Sequence, residues 1–390
     1  MTPTELYTHI SEAEGIPMQE LNPLQHELMQ IAAEALALRD ARETTETGIP
    51  EDIADVTEGV AELRRIQAEA LPYRQQADEI FKMSQDSANA CTTDYEKALV
   101  QATIGYITHR SLATDRALDS AQDIDKRNEK DFAYATIVAT LLSNGEMDRA
   151  AKLVEFIVEE YYKSIAQIYI AAHTHDLALV GRALEPLEEL DDELMGAQAI
   201  VNIASYIVQA GDPRLAVTLV NSLANEHDKS EALANITSAI AQSGNIAWAI
   251  ELKNQISSTE PYLRDKALLG IIPHMARSGD IARARNEAGE IHDLYLRARA
   301  LISIAEVTND DTIIDQVRSL LPRIIINVEK AETLIRLAAI RYEPELIEMA
   351  LRYASDIANP RGEARVYANI VKVLDDRADE IVSGATVSTK

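Results

Sequence analysis

Apolar residues recur at helical spacing through most of the chain, and from residue 94 to residue 375 this pattern repeats. Four segments align without internal gaps, and each carries a glycine followed five residues later by an alanine. The four pairs are Gly145/Ala150, Gly211/Ala216, Gly244/Ala249 and Gly279/Ala284. Apolar helices that break at a polar turn, with a period of 31 to 35 residues, predict stacked helical hairpins. Each hairpin would bury its apolar face against its neighbours.

The repeat predicts an all-α fold, a right-handed α-solenoid of about eight to nine helical hairpins with an N-terminal helical extension. Composition agrees with this fold, because the apolar content is mostly Ala, Leu and Ile and aromatic residues make up only 5%. Alanine and leucine are strong helix formers, and strand-forming residues never alternate over a usable stretch. The solenoid would occupy residues 94–375, followed by a flexible C-terminal tail at 376–390.

Residues 1–93 lie outside the repeat and hold 6 basic and 18 acidic side chains, a net charge of −12. The pattern predicts a helix over 21–39, a loop over 43–50 and a second helix from Glu51 towards Gln85. Pro72 would bend that helix, since proline cannot donate the helical hydrogen bond. This acidic segment is either a cap on the first repeat or a separate arm, and both alternatives stay open.

The helix–turn–helix unit, its length and its glycine–alanine step resemble the tetratricopeptide repeat. Gly105 matches the small residue that this family places in the middle of its first helix. Most repeats here lack the bulky aromatic near the start of that helix and the proline that closes the unit, so a related helical-hairpin family is the alternative. The resemblance covers residues 94–375 and implies a concave groove lined by the first helices.

Polar residues interrupt the apolar first helices at two regular positions. The first row precedes each turn glycine by nine residues and comprises Thr103, Thr136, Gln167, Asn202, Asn235, Gly270, Ser303, Arg336 and Asn369. The second row lies four residues earlier and comprises Lys163, Gln198, Glu231, Lys266, Arg299, Glu332 and Arg365. Residues four apart share a helix face, so the two rows form one stripe. Asparagine is costly to bury without partners, and its recurrence therefore requires an explanation.

In tetratricopeptide repeats the matching positions line the groove and hold a bound peptide through amides and cations. The resemblance therefore implies a peptide-binding or protein-binding groove whose candidate residues are Gln167, Gln198, Asn202, Asn235, Lys266, Arg299, Ser303, Arg336, Arg365 and Asn369. A side-chain amide can donate to and accept from an extended backbone, and Lys or Arg can pair with a carboxylate. The alternative is that these residues bond neighbouring helices or water inside the solenoid.

The net charge of −27 argues against nucleic acid and anionic membranes as partners, because no local basic stripe offsets it. Hairpins of about 35 residues also occur in RNA-reading repeats, but the base-reading position here holds apolar residues such as Ala234 and Leu269. We find no stretch of 18 apolar residues and no signal-peptide pattern at the N-terminus. We therefore expect a cytoplasmic protein.

We expect neither catalysis nor a metal or other cofactor. His173, His175 and Asp176 form a short cluster, but no second cluster completes a tetrahedral metal site. Cys91 has no histidine near it in sequence, and no nucleotide-binding or hydrolase motif occurs. The expected function is a scaffold or adaptor that binds a peptide or protein segment. The alternative is a peptide-sensing regulator whose solenoid changes compaction on binding, and the oligomeric state stays open.

Overall fold

The structure is a computed structural model that describes the backbone of residues 51–188 and 193–387 and the side chains of 65–187 and 196–383. Within these ranges the fold contains eighteen α-helices, one short 3-10 helix at Leu321–Arg323 and no strand. The all-α class predicted from sequence is therefore confirmed. The predicted helix over 21–39 and loop over 43–50 lie outside the described residues.

The helices follow one another along the chain with short connections. In order they are α1 (Glu51–Asn89), α2 (Asp94–Thr108), α3 (Ser111–Gln122), α4 (Arg127–Ser143), α5 (Met147–Val154), α6 (Glu160–Thr174), α7 (Leu177–Glu188), α8 (Glu193–Ala210), α9 (Pro213–Ser222), α10 (Glu226–Gln242), α11 (Ile246–Gln255), α12 (Pro261–Arg277), α13 (Ile281–Glu290), α14 (Leu294–Thr308), α15 (Asp311–Leu320), α16 (Asn327–Ile340), α17 (Pro344–Ser355) and α18 (Pro360–Val387). In the described part of the chain, every helix is too short or too polar to cross a bilayer.

The described residues divide into two compact units. One comprises 51–77 and 374–387, and the other comprises 78–373. In the first unit, Ile66 and Ala70 of α1 pack against Ala378 and Val382 of α18, and all four side chains are buried. An ion pair between α1 and α18 accompanies this small core.

The C-terminal segment differs from its prediction. The sequence predicts a flexible tail from residue 376, whereas α18 continues to Val387. Its apolar residues Leu374, Ala378 and Val382 follow one another at intervals of four, so they share a helix face. Contact with α1 buries Ala378 and Val382, and this tertiary packing stabilises the helix.

Residues 78–373 hold eight helix pairs, and the first helix of each pair carries an even number from α2 to α16. Each first helix packs on the second helix of its own pair, and consecutive first helices from α2 to α16 pack on one another. The packing is tight because the first helices bury Ala, Ile and Leu on most of their surface; in α10, for example, Leu233, Ile236 and Ile240 are fully buried.

The turn glycines have the backbone conformation that the pattern predicts. Gly145, Gly211, Gly244 and Gly279 all have positive φ, from 76° to 116°. This left-handed region costs a glycine nothing because it has no Cβ. At three other turns, His109, His175 and Asn309 take positive φ instead and cap the first helices α2, α6 and α14. Histidine and asparagine are among the non-glycine residues most often found there. The turn after α16 differs, because its cap Arg341 is extended with φ −134°.

Gly105 marks a close approach of two helices. A Cβ placed on it would lie 2.7 Å from the Thr114 hydroxyl oxygen, so α2 and α3 can meet only because this side chain is absent. Gly270 plays the same part between α12 and α10, where an added Cβ would lie 2.7 Å from that of Ser238. The first-row position in α12 therefore serves packing.

Buried carboxylates join one pair to the next, and the sequence analysis did not identify them. The Asp131 carboxylate on α4 accepts hydrogen bonds from the backbone N–H groups of Val158 and Glu159, at 3.1 and 2.8 Å, just before α6. The Asp265 carboxylate on α12 accepts in the same way from His292 and Asp293, at 2.9 Å each. These N–H groups belong to a helix start, where no intrahelical acceptor is available.

The two ends of the 78–373 unit meet. The Ser87 hydroxyl near the end of α1 donates to the Glu363 carboxylate at the start of α18, over 3.0 Å and across 276 residues of chain. Tyr367, one helical turn further along α18, also donates to Glu363. The first and last helical segments of this unit are therefore in direct contact.

Candidate binding face

The two polar rows lie on the first helices between buried apolar neighbours. Asn202 is exposed, for example, while Val201 and Ile203 on either side of it are buried. The other candidates are mostly accessible as well. Gln198 and Arg365 are exposed, Ser303 is buried, and the half-buried members are Gln167, Asn235, Lys266, Arg299, Arg336 and Asn369.

Four of the candidates surround one cavity of about 450 Å³, and we call it the arginine cavity. Its lining contains the predicted residues Arg299, Arg336, Arg365 and Asn369 together with Ile107, Tyr262, Tyr295, Glu332 and Ile335. These residues come from α2, α12, α14, α16 and α18. Residues from α2, in the first helix pair, and from α14, α16 and α18, near the C-terminal end, therefore line the same cavity.

The charges in the arginine cavity are unequally compensated. Arg365 forms an ion pair with Glu332 at 2.9 Å, and the Tyr295 hydroxyl donates to the same carboxylate. Arg299 and Arg336 form no ion pair or hydrogen bond with a described residue through their guanidinium groups. The Arg299 guanidinium instead lies 5.5 Å from the centre of the Tyr295 ring, and its Nε is buried without a hydrogen-bond partner.

Burial and the nearby charge of Arg299 both affect the pKa of Arg336. Burial lowers that pKa from its ordinary value, and the neighbouring positive charge of Arg299 lowers it further. Glu306 and Glu332 act in the opposite direction but do not reverse the shift. Two guanidinium groups that repel each other in a half-buried cavity are a favourable site for an anion.

A second cavity, of about 460 Å³, lies beside the first and shares Arg299 with it. Asn235 and Lys266 are its predicted members, and Tyr262, Pro273 and His274 are among its other lining residues. Burial and the charge of Arg277 lower the pKa of His274, which favours its neutral form. The two cavities together place Asn235, Lys266, Arg299 and Arg336 along one continuous run of helices.

Several row residues also hold the helices in place. The Asn235 side-chain amide donates to the Val201 carbonyl of α8 over 3.1 Å, so this asparagine bridges two first helices. Asn202 accepts a long hydrogen bond of 3.4 Å from Gln198, one turn earlier on the same helix. Ser303 donates to the backbone carbonyl four residues before it, and so does Asn369. The packing alternative weighed from sequence therefore describes part of what these side chains do.

Aromatic residues that the sequence analysis did not single out line a third cavity, of about 590 Å³. Tyr169 and Tyr206 are in contact there, with ring centres 4.4 Å apart, and Tyr106 is exposed beside them. Burial raises the pKa of both contacting tyrosines, so they stay neutral at ordinary pH. Tyr206 follows Asn202 by four residues on the same helix face, a spacing that could have revealed it.

The histidine cluster and Cys91, for which the sequence analysis expected no metal-binding or catalytic role, have the following surroundings. The His175 ring lies 2.9 Å from the Gln209 carbonyl oxygen, and His173 is exposed. Searching the described ranges gives no group of three histidine, cysteine or acidic side chains arranged to hold a metal ion. Burial and Glu96 raise the pKa of the Cys91 thiol, which disfavours its reactive thiolate.

Comparison with known proteins adds little to this geometry. No protein-family model and no curated protein sequence matches the chain. Among solved structures, the crystal structure of Ton1535 from Thermococcus onnurineus NA1 is similar over 87% of this chain and 100% of that chain. The identity is 14% and the TM-score is 0.23, values too low to support an argument about fold or function.

Proposed function

We propose that this chain is a non-enzymatic scaffold or adaptor, a tetratricopeptide-like right-handed α-solenoid that binds a peptide or protein segment along the concave face of its first helices. In this proposal the protein acts in the cytoplasm without a cofactor. The binding residues are the accessible members of the two polar rows, with the amides at the centre and the arginines at the C-terminal end.

The observation that carries the proposal is that two neighbouring cavities are lined by the two rows and share Arg299. An extended segment needs successive polar groups along its length, and the rows provide one such group per first helix. Chain-order packing of the helix pairs supports the solenoid, because it repeats the same face at regular intervals.

A specific contact favours a second candidate, a peptide-sensing regulator. Ile107 of α2 lines the arginine cavity together with residues of α14, α16 and α18, and the Ser87–Glu363 hydrogen bond joins the ends of the same unit. A ligand in this cavity would contact both ends at once. Its binding would therefore tighten or loosen their contact, since it changes the relative free energies of the two arrangements.

Affinity capture tests the binding proposal. The variant is Asn202→Ala with Lys266→Ala, which removes row residues while leaving the Asn235 bridge intact. The matched control is Asn221→Ala with Lys152→Ala, which removes the same residue types from exposed positions on second helices. We expect one or more proteins or peptides to bind the wild type and the control but to be lost from the row variant.

Equal recovery of every captured protein from all three chains would contradict the proposed face. Circular dichroism and thermal melting of each variant check that the fold is retained. Small-angle scattering with and without a captured peptide separates the two candidates. A change in radius of gyration supports the sensor, and an unchanged radius supports the scaffold.

A further inference from the structure

The charged side chains that line the arginine cavity carry an excess of positive charge. Three arginines and one glutamate line it, which leaves a net charge of about +2, and Lys266 lies in the cavity that shares Arg299. The adjoining cavity adds Arg361 and Glu329, whose charges cancel. Glu306 acts on Arg336 but is not part of the lining.

We propose that the arginine cavity binds a phosphate group, held between the guanidinium groups of Arg299 and Arg336. This inference rests on the proposed function, because it assigns a ligand chemistry to the C-terminal end of the same face. The phosphate is carried by a phosphorylated side chain of the bound segment or enters as free phosphate. In both cases the arginines bind the same phosphate group, but a phosphorylated segment would also contact other residues of the binding face.

The charge of the residues that line the cavity favours phosphate over a carboxylate. A phosphate monoester carries a charge of about −1.5 to −2 at neutral pH, which neutralises the excess positive charge of the lining. A single carboxylate would leave about half of that excess charge unneutralised. Phosphate also has three acceptor oxygens and can satisfy two guanidinium groups at once.

The walls of the cavity fit a phosphate group attached to a longer ligand. Tyr262 and Tyr295 provide aromatic surfaces, and Ile107 and Ile335 provide apolar ones. A volume of about 450 Å³ exceeds what a single phosphate occupies, so part of the carrier can enter with it. The Glu332 carboxylate is already engaged by Arg365 and Tyr295, which limits its repulsion of the incoming anion.

Isothermal titration of the full chain with three small probes tests the inference. The probes are inorganic phosphate, acetyl-phosphoserine methylamide and acetyl-glutamate methylamide. We expect saturable binding of a phosphate probe that weakens by about 10- to 100-fold in Arg336→Gln, as expected for the loss of charge-assisted hydrogen bonds. Binding should stay unchanged in Lys152→Gln, an exposed control on α5. Arg336→Lys keeps the charge without the guanidinium fork and should give an intermediate loss.

The pattern of results also identifies the source of the phosphate. Tighter binding of the phosphoserine probe than of inorganic phosphate indicates a phosphorylated segment, and equal binding indicates free phosphate. The inference is overturned if neither phosphate probe saturates, if Arg336→Gln binds as well as wild type, or if the glutamate probe binds as tightly as phosphoserine. Circular dichroism of each variant confirms that it is folded.

The proposed function can fail separately from the phosphate site. Phosphate binding that depends on Arg336, combined with identical affinity captures from the row variant and its control, supports the phosphate site and rejects the peptide-binding face. Captures that depend on the row residues, with no phosphate binding, reject the phosphate site alone.

Discussion

Replacement of Asp265 by alanine tests the idea that buried carboxylates join successive helix pairs. Asp265 is 3% exposed, and one oxygen of its carboxylate accepts from the backbone N–H groups of both His292 and Asp293 at 2.9 Å. Its other oxygen lies 3.6 Å from the His292 ring. Alanine is compatible with the space, because Ala298 and Ala331 are buried at the corresponding positions of α14 and α16.

The expected cost follows from the two N–H groups that lose their acceptor. An unsatisfied buried donor costs about 1–3 kcal/mol, and removal of a buried carboxylate recovers part of its desolvation penalty. We therefore expect Asp265→Ala to lower the free energy of unfolding by about 3 kcal/mol. Asp265→Asn keeps an acceptor oxygen and should lose about 1 kcal/mol, since only the charge assistance disappears.

Hydrogen exchange is the sharpest assay, because repeat proteins do not always unfold in one step. Protection of the His292 and Asp293 amides should fall in Asp265→Ala, and urea unfolding should shift to lower concentration. Asp119→Ala, on an exposed position of α3, is the control for removing one negative charge from an acidic chain. Protection of these two amides that equals wild type would refute the reasoning.

Three further predictions follow from backbone geometry and electrostatics. Gly270→Ala should destabilise by about 1–3 kcal/mol, because its Cβ would meet a serine of α10 at 2.7 Å, whereas Gly181→Ala has open space and should stabilise by about 0.5–1 kcal/mol in urea unfolding. Gly244→Ala should cost about 1–2 kcal/mol in the same measurement, since φ is 92°. The hydrogen bond to Glu260 raises the pKa of His227. The stabilisation from this charged pair is therefore fully present below the ordinary histidine pKa and is lost as pH rises through the raised pKa. Glu260→Gln should return the His227 titration, followed by NMR, towards its ordinary value.

The helix pairs and their turns could be predicted because both depend on local sequence. Apolar spacing defines each first helix, and the turn glycines require only a positive φ that the structure contains. The helix beginning at Glu51 was predicted for the same reason, and it includes Pro72. The Asp265 contact was missed, although Asp131 and Ser230 occupy the same register position and also accept from backbone N–H groups. Most of the other first helices have alanine at this position, so the polar residues do not form a continuous row.

The sequence predicts which polar residues share a helix face, but it does not predict how the helices arrange them in space. The rows place Arg299 and Arg336 on successive first helices, but their mutual repulsion depends on the distance between those helices. The presence of Ile107 across the cavity depends on packing between segments far apart in sequence. The side-chain amide of Asn235 donates to the Val201 carbonyl. The periodicity of the sequence cannot distinguish an amide that is free to bind a ligand from one that bonds a neighbouring helix.

The contact between Ser87 and Glu363 changes how the 78–373 unit should lose structure. In an open array of repeats, each terminal repeat has one neighbour and frays independently of the other end. Here α18 contacts the end of α1, so unfolding at either end of the unit removes a stabilising contact from the other end. Truncation before residue 360 should therefore lower amide protection near Ser87, at the opposite end of the sequence, as well as in α17.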